Sequence, residues 1–517
     1  MSLVEESIKV NRSNGGVTAT LALADIPPIL SDCTVHGPVR GRCTGITLDS
    51  RAVRPGMIFA ALAGTRSDGA LHIDEAVRNG AIAVLVGDHS PTDKRSTYIV
   101  VPDPRRALAR LSCELFGHPS SRLRTIGVTG TNGKSTVALL IRAILSEGGF
   151  APGIIGTLGY DVGGRWIPPD RTTPESPELQ HLLHTMTQHG RDSAVMEVSS
   201  HALAQQRTHG VKFHARVFTN LSEDHLDYHA SMESYFQTKA LLFDDAEYAS
   251  ASGTTIVNVD DPWGRKLILR GGMRAHTLTY GFAPEAIVRA EHATLDARGS
   301  SFHLRSPWGD AEIRMNLLGR FNISNALAAV AAAGSQGIDV PTMAQALERT
   351  EPLSGRLEAI DNDHGINVFV DYAHTEDALS NALKTLREVH EGNLTVVFGC
   401  GGERDQAKRP RMGAVAARLA DRAIVTTDNP RGEDIGDIIH EVTRGCGDAE
   451  NVETVEDRRA AISLSLRDAR PGDVVLVAGK GHETTQHIGA RFYPFDDREV
   501  IRDILRGLDT KTKKSSS

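Results

Sequence analysis

Residues 125–136 read Thr125-Ile-Gly-Val-Thr-Gly-Thr-Asn-Gly-Lys134-Ser135-Thr136. A short apolar run enters a glycine-rich turn, and the turn closes on Gly-Lys-Ser-Thr. A helical pattern starts at once, with Val137, Leu140, Ile141, Ile144 and Leu145 spaced along one face. Strand, glycine turn, lysine, hydroxyl and helix make the layout of a phosphate cradle. Loop N–H groups and the helix N-terminus face the anion, Lys134 reaches the outer phosphates, and Ser135 or Thr136 offers an oxygen to magnesium. The strict Gly-x-x-x-x-Gly-Lys spacing asks for glycine at 128, where this chain has Val128 between Gly127 and Gly130. A turn with a chance lysine would not need both the strand and the helix, and both flanks are present.

Working outward, 517 residues suffice for about three domains of ordinary size. Charged residues make up 24% and hydrophobic ones 40%, as in globular proteins. The net charge of −8 leaves no basic footprint for nucleic acid. Cys33, Cys43, Cys113, Cys400 and Cys446 form no CxxC pair, which points to a reducing compartment and no zinc ribbon. The N-terminus, Met1-Ser-Leu-Val-Glu-Glu, has neither the basic start nor the apolar stretch of a signal peptide. No apolar run is long enough to span a membrane. The expectation is a soluble cytoplasmic protein.

Residues 1 to about 22 are polar, and the tail Lys511-Thr-Lys-Lys-Ser-Ser-Ser reads as a solvated end. Between them apolar runs alternate with helical patterns, which implies an α/β chain with largely parallel sheets. Three blocks separate at 1–122, 123–353 and 354–517, the first ending where His118-Pro-Ser-Ser-Arg reads as a linker. The first block has predicted strands at 57–62 and 81–86 around a helix near 72–80. The third has predicted strands at 368–371, 394–398, 422–426 and 474–477.

The polar motifs fall just past the carboxyl ends of predicted strands, the edge where open α/β sheets bind ligands. Glu197-Val-Ser-Ser-His201 follows 193–196, and Asn220-Leu-Ser-Glu-Asp-His225-Leu-Asp-Tyr-His229 follows 215–219. Asp371-Tyr-Ala-His374, Gly399-Cys-Gly-Gly-Glu-Arg404, Asp428-Asn-Pro-Arg431 and Gly479-Lys-Gly-His-Glu483 do the same in the third block. Two such edges facing each other would enclose a cleft. Glu197 suits a magnesium opposite the loop hydroxyl, or it is incidental beside the helix-capping Ser199 and Ser200. The cluster Glu223 to His229 is rich in metal-capable groups, although magnesium prefers oxygen to imidazole. Lys239, in Tyr235-Phe-Gln-Thr-Lys-Ala-Leu-Leu-Phe243, either snorkels to water, which composition favours, or is buried with a lowered pKa. Asp428-Asn-Pro-Arg431 is either a plain proline turn or an arginine fork for a carboxylate.

Taken together, Gly130-Thr131-Asn132-Gly133-Lys134-Ser135-Thr136, Glu197-Val-Ser-Ser-His, Asn220-Leu-Ser-x-Asp-His-Leu-Asp-Tyr-His229, Gly319-Arg-Phe-Asn-Ile-Ser-Asn325, Gly355-Arg356 and Asp371-Tyr-Ala-His374 resemble the Mur ligases. Leu48-Asp-Ser-Arg51 and the motifs at 428–431 and 479–483 resemble the branch that adds meso-diaminopimelate to UDP-N-acetylmuramoyl-L-alanyl-D-glutamate for peptidoglycan. The resemblance runs in order over residues of about 40 to 500. It implies a substrate-holding N-terminal α/β domain, a central ATP-binding P-loop domain and a Rossmann-like C-terminal domain. It also implies ATP with Mg2+, an acyl-phosphate intermediate and an amide product.

By motif position, Leu48, Ser50, Thr65, Arg66 and Ser67 would meet the uridine end. Thr172, Thr173, Ser199, Gln205 and Arg207 would hold the muramoyl dipeptide. The loop residues 130–136 with Asn325, Arg356 and Asp371 would hold ATP. Glu197 and His225 would join Ser135 and Thr136 as metal ligands, and Lys239 matches the family's carbamylated lysine. Arg404, Asp428, Asn429, Pro430, Arg431, Gly479 and Glu483 match the diaminopimelate pocket. Relatives often have Asn where this chain has Arg171. Rival readings are a lysine-adding or folylpolyglutamate-type ligase, and a nucleotide switch, for which the Asn-Lys-x-Asp guanine reader is missing.

Overall fold

The structure, a computed structural model, describes residues 20–64, 68–87, 96–244, 248–270, 276–296 and 299–515. The strand Arg124–Thr129 is buried from Thr125 onward, in the interior of an 11-stranded sheet. Ser193–Glu197 and Phe213–Phe218 pair with it in parallel, one on each side. Pro152–Gly156, Ala249–Asn258, Thr277–Gly281 and Val288–Asp296 extend the parallel part. The edges differ from the parallel expectation. Gly159–Asp161 and Trp166–Ile167 finish one side, and Gly299–Arg305 and Ala311–Met315 the other, all antiparallel. Their connections are too short for the crossover that a parallel pair requires.

The helix Lys134–Glu147 buries Val137, Ala138, Leu140, Ile141, Ile144 and Leu145, as its spacing predicts. It packs against the helix Arg320–Gly334, in which every residue from Asn325 to Gly334 is buried. Alanine supplies most of that stretch, so the helix can press against its neighbours at close range. A Cβ at Gly334 would strike the Trp308 ring.

Before this sheet, Thr34–His36, Tyr98–Val100, Ala83–Val86, Met57–Ala60 and Gly45–Thr47 form a five-stranded sheet, parallel except at its first strand. The helix expected near 72–80 spans Ile73–Arg78. The stretch read as a linker contains the 3-10 turn Pro119–Ser121. After the large sheet comes a six-stranded one, ordered Glu358–Ile360, Asn367–Asp371, Val474–Ala478, Leu394–Phe398, Arg422–Val425 and Val452–Thr454. Only its first strand is antiparallel. Continuous apolar runs such as Val474-Val-Leu-Val-Ala478 suit strands covered on both faces. The tail read as a solvated end continues a helix, Asp497–Ser515.

The start of that helix is held by a buried ion pair. Arg458 and Asp497 are both 0% exposed and pair in fork geometry at 2.8 and 2.7 Å. Arg458 also donates to the carbonyls of Thr427 and Ala478, the exits of two strands. Removing one partner leaves the other charged and unsatisfied in the interior. Arg458→Met is expected to lower stability by about 3–5 kcal/mol in urea denaturation. Arg458→Met with Asp497→Leu should recover part of that loss. A single variant within about 1 kcal/mol of wild type would remove the pair from this role.

Candidate active site

Strand order brings three strand ends to one point. Glu197 is in register with Val128, and Phe218 with Thr129, so both neighbours stop where the glycine loop begins. Gly130 has φ 149° and Gly133 φ 83°. A Cβ at Gly130 would strike the Thr219 hydroxyl, and one at Gly133 the Asn325 carboxamide, so space and dihedral both demand glycine. The loop is braced from the next strand exit. Asn220 accepts from Thr131 N and, through Oδ1, from Asn132 N, each at 2.9 Å, and Thr219 Oγ1 donates to Asn132 O at 2.7 Å.

Lys134 folds back over this loop, its Nζ donating to the carbonyls of Gly130 (3.0 Å) and Thr131 (2.8 Å). Burial holds its pKa below the ordinary lysine value, while Glu197 and Asp224 pull it upward. Ser135 and Thr136 are buried in the first helical turn. Lys239 approaches the same spot. It is 1% exposed, donates to Gly130 O at 2.8 Å and stands 4.6 Å from the Tyr235 ring centre. Burial first, then Lys134, push its pKa well below the ordinary value. The snorkelling reading is therefore corrected. The helix Met232–Asp244 turns Tyr235, Phe236, Lys239, Ala240, Leu242 and Phe243 inward, and position 239 lies on that face.

Glu197 is 2% exposed, and its carboxylate accepts from Thr157 N at 2.8 Å and Thr157 Oγ1 at 3.2 Å. Ser199 caps the helix Ser200–Ala204 through Ala202 N at 3.2 Å, so capping and a strand-end carboxylate coexist. His225 has φ 55° and a side chain 42% exposed, with Nε2 3.4 Å from Asp224 Oδ2 and the ring edge-on to His201. Desolvation lowers its pKa to about 3, Asp224 opposing and His201, Lys239 and Lys134 assisting, which keeps the imidazole neutral. No three His, Cys, Asp or Glu side chains converge into a metal cage among the described residues. The oxygens of Ser135, Thr136 and Glu197 fit magnesium as a partial set, the kind that nucleotide phosphates complete. The nitrogen of His225 is the weaker match.

The Glu197 backbone leads into the next group. Its carbonyl accepts from Thr173 Oγ1 at 2.8 Å, and Thr173 Oγ1 accepts from Ser199 N at 3.1 Å. Thr172 and Thr157 hydroxyls meet at 3.0 Å. Arg207 donates to Thr173 O at 2.9 Å and Gln205 Oε1 at 2.7 Å. Three guanidiniums, Arg207, Arg171 and Arg105, surround the Glu175 carboxylate at 3.0, 3.1 and 3.7 Å. Asp170 and Glu178 lie close enough to add further negative charge to this cluster. Arg171, the departure from the family pattern, belongs to it. Ser50 lies apart in the N-terminal sheet block, its hydroxyl donating to Glu75 Oε2 at 2.5 Å, and Leu48 packs against that block's core. Thr65, Arg66 and Ser67 lie outside the described residues.

Across the gap stand the ends of the third sheet. Arg356 lies 4.7 Å from the Tyr372 ring centre, with its Nε buried and unpartnered among the described residues. Asp371 Oδ2 accepts from Leu357 N at 2.7 Å, and burial raises its pKa to about 6 against Arg356. Asn132 Nδ2 donates to Asp377 Oδ2 at 2.9 Å, and Arg411 pairs with Glu223, so the loop tip touches the third block. Deeper in that block, Arg431 has φ 53° and its guanidinium donates to Gly402 O at 2.7 Å. Its pKa is lowered by burial and then by the neighbouring Arg404. Asp428 is buried with a raised pKa, and Gly479 (φ 112°) has no room for a Cβ beside its carboxylate. Glu483 accepts from Asn429 Nδ2 at 2.7 Å and Lys480 Nζ at 3.0 Å. Pro430 precedes Arg431 in the same turn, and a cleft of about 430 Å³ opens beside them.

Sequence reasoning assigned no role to Thr157, Thr219 or Lys480. Each lies at a strand exit, so the rule that singled out Glu197 could have found them; none bears a charge pattern of its own except Lys480.

The chain matches the Mur ligase family catalytic domain over residues 42–114, the Mur ligase middle domain over 128–333 and the Mur ligase glutamate ligase domain over 355–481. It is 42% identical to the UDP-N-acetylmuramoyl-L-alanyl-D-glutamate--2,6-diaminopimelate ligase of Geobacter metallireducens, over 95% of this chain and 99% of the relative. A solved structure of an enzyme of the same name superposes with TM-score 0.67 at 32% identity, covering 95% of this chain and 99% of that one. The MurF ligase from Thermotoga maritima in complex with ADP shares the fold at 18% identity, with TM-score 0.61 over 90% of this chain and 98% of that one.

The buried Lys239 makes a pH prediction. Its folded-state pKa is depressed, so the unfolded chain binds the proton more readily, and wild-type stability rises as pH climbs toward the ordinary lysine value. In carbonate-free buffer Lys239→Met should raise Tm at about pH 7, with the gain shrinking by about pH 9.5. A gain independent of pH would remove the amine as its cause.

Proposed function

The chain belongs to the Mur ligase family, and from that premise we propose that it adds meso-diaminopimelate to UDP-N-acetylmuramoyl-L-alanyl-D-glutamate, using ATP, in cytoplasmic peptidoglycan precursor synthesis. The single observation carrying this reading is the Arg431–Arg404 pair beside Asp428 and Glu483. Two neighbouring guanidiniums invite a carboxylate between them, and the acids next to them suit an ammonium. The distal amino-acid head of diaminopimelate carries both groups. Lysine carries only the amine. In this reading residues 1–122 hold the uridine end, 123–353 bind ATP and 354–517 bind the amino acid.

The chemistry assigned to each residue follows from its setting. A carboxylate attacking a polyphosphate meets repulsion that cations must offset. Lys134 supplies one such cation at the loop. Magnesium, when bound by Ser135 or Thr136, Glu197 and His225, supplies the rest of the charge neutralisation. The arginines around Glu175, with Thr172, Thr173, Ser199 and Gln205, hold the anionic dipeptide, and Leu48, Ser50 and residues 65–67 hold the uridine end. Asn325, Arg356 and Asp371 hold ATP. The carboxylate takes the γ-phosphoryl group, the amine of the incoming amino acid displaces phosphate, and an amide and ADP remain.

Lys239 is assigned as a carbamate. Its depressed pKa favours the unprotonated amine, the form that adds to carbon dioxide with loss of one proton. The resulting carboxylate would set a negative charge beside the Lys134 ammonium, with which it shares the Gly130 carbonyl region.

Lys134→Ala should fold normally, by circular dichroism, and lose turnover on the order of 10³-fold, as electrostatic groups of this kind do. Activity near wild type would end the phosphate-loop assignment. Wild type should prefer meso-diaminopimelate over L-lysine by roughly 10² or more, and Arg431→Ala should lose most turnover and narrow that gap. Equal use of the two amino acids by wild type would overturn the substrate assignment. A variant that keeps the full preference would remove Arg431 as the selector.

A further inference from the structure

Among the buried charged groups, Lys480 has no part in the chemistry above, and its surroundings are unusually determined. It sits between Gly479 and Gly481, at φ 112° and 51°. A Cβ at the first would meet Asp428 Oδ2, and one at the second would meet Tyr372. Its side chain is 0% exposed. An ammonium has three donors, and here each finds an acceptor: Thr485 O at 2.6 Å, Glu483 Oε2 at 3.0 Å and Asn429 Oδ1 at 3.2 Å.

The consequence falls on Asn429. Its Oδ1 takes Lys480 and also His487 N at 2.9 Å, which uses both lone pairs. The amide can therefore point only one way, with Nδ2 toward Glu483 Oε2 at 2.7 Å. A flipped amide would set its NH2 against an ammonium and a backbone N–H, donors facing donors. Glu483 in turn receives two hydrogen bonds on one oxygen while its side chain stays 32% exposed. It is a fixed, ionised and still reachable carboxylate. Lys480 helps hold the pKa of Glu483 below the usual carboxylate value, and at Asp428 it opposes the larger rise that burial imposes.

We propose that Lys480 is a positioning residue for the acceptor amino acid, fixing the Asn429 amide and the Glu483 carboxylate in the orientation that receives the distal ammonium of the diamino acid. This rests on the function proposed above for the same pocket. Lysine suits the task because a compact ammonium reaches three divergent acceptors, where a planar guanidinium would not fit. The bond to Thr485 O also ties in the hairpin Thr485–Ile488 with Arg491–Pro494. A purely structural clamp would act through that bond alone and would not discriminate among substrates.

Lys480→Met removes the charge and all three donors with little change of volume, and Lys480→Gln keeps a donor without the charge. Three readouts are compared in the full-length enzyme: KM for each substrate, kcat, and hydroxylamine trapping of the acyl phosphate formed from ATP and the UDP-dipeptide before any amino acid binds. The expected result is a rise of about 10- to 100-fold in KM for meso-diaminopimelate, the worth of a hydrogen bond to a charged group. KM for ATP and the UDP-dipeptide, and the trapping rate, should stay within about 3-fold. In a Glu483→Gln background, Lys480→Met should add far less than it does alone, because its effect runs through that carboxylate. An unchanged diaminopimelate KM, additive effects with Glu483→Gln, or loss of trapping in both variants would each overturn the proposal. Failure of wild type to use diaminopimelate at all would instead overturn the function on which it rests.

Discussion

The Gly130 carbonyl accepts from two lysines at once, Lys134 at 3.0 Å and Lys239 at 2.8 Å. The rest of the site is arranged around that crowding. Burial lowers the pKa of both lysines, and at Lys239 the neighbouring Lys134 adds to the shift. Such an arrangement persists only if the surroundings hold it. The Thr219 hydroxyl leaves no space for a side chain at 130, Asn220 takes two loop N–H groups, and the apolar face of the helix Met232–Asp244 drives Lys239 inward. The result holds the Lys134 amine at the end of a buried strand, where a cation suits a polyphosphate and a developing acyl phosphate.

Charge is managed differently in the third block. There the cations are spread over Arg404, Arg431, Lys480 and Arg458, and the anions over Asp428, Glu483 and Asp497. Arg458 and Asp497 pair fully and are out of solvent, so they serve to anchor the last helix beneath the exits of two strands. Arg431 and Glu483 remain partly reachable. Separating a sealed pair from an accessible set lets one end of the sheet be rigid while charged groups of both signs stay reachable. The contact between Asn132 and Asp377, together with the pair of Arg411 and Glu223, joins this end to the phosphate loop. A shift of the third block would therefore be felt at the loop tip.

Much of this was legible in the sequence, because strong periodicity and strand-end motifs are local signals. The strands at 394–398 and 474–477 appear as Leu394–Phe398 and Val474–Ala478, and the helix after Lys134 buries the residues that its spacing selects. The antiparallel edge strands of the large sheet were not legible, since pairing direction depends on connection length and partner. The helical end of the chain, Asp497–Ser515, was read as loose because its last turns are polar.

What the sequence determined by itself is the set of chemical groups and their order: a glycine loop with Lys134, a carboxylate at 197, an arginine turn at 428–431 and a glycine-bounded lysine at 480. Each depends on neighbours in the chain, through dihedral preference or helical phase. Tertiary structure decided which of these groups meet. Lys239 lies far along the chain from Gly130, yet strand order places its amine on that carbonyl, where burial lowers its pKa. Asn429 and Glu483 meet Lys480 because the strands Arg422–Val425 and Val474–Ala478 both flank Leu394–Phe398 and end at the same edge. No local pattern encodes such distances, because hydrogen bonding, burial and charge coupling depend on separation in space.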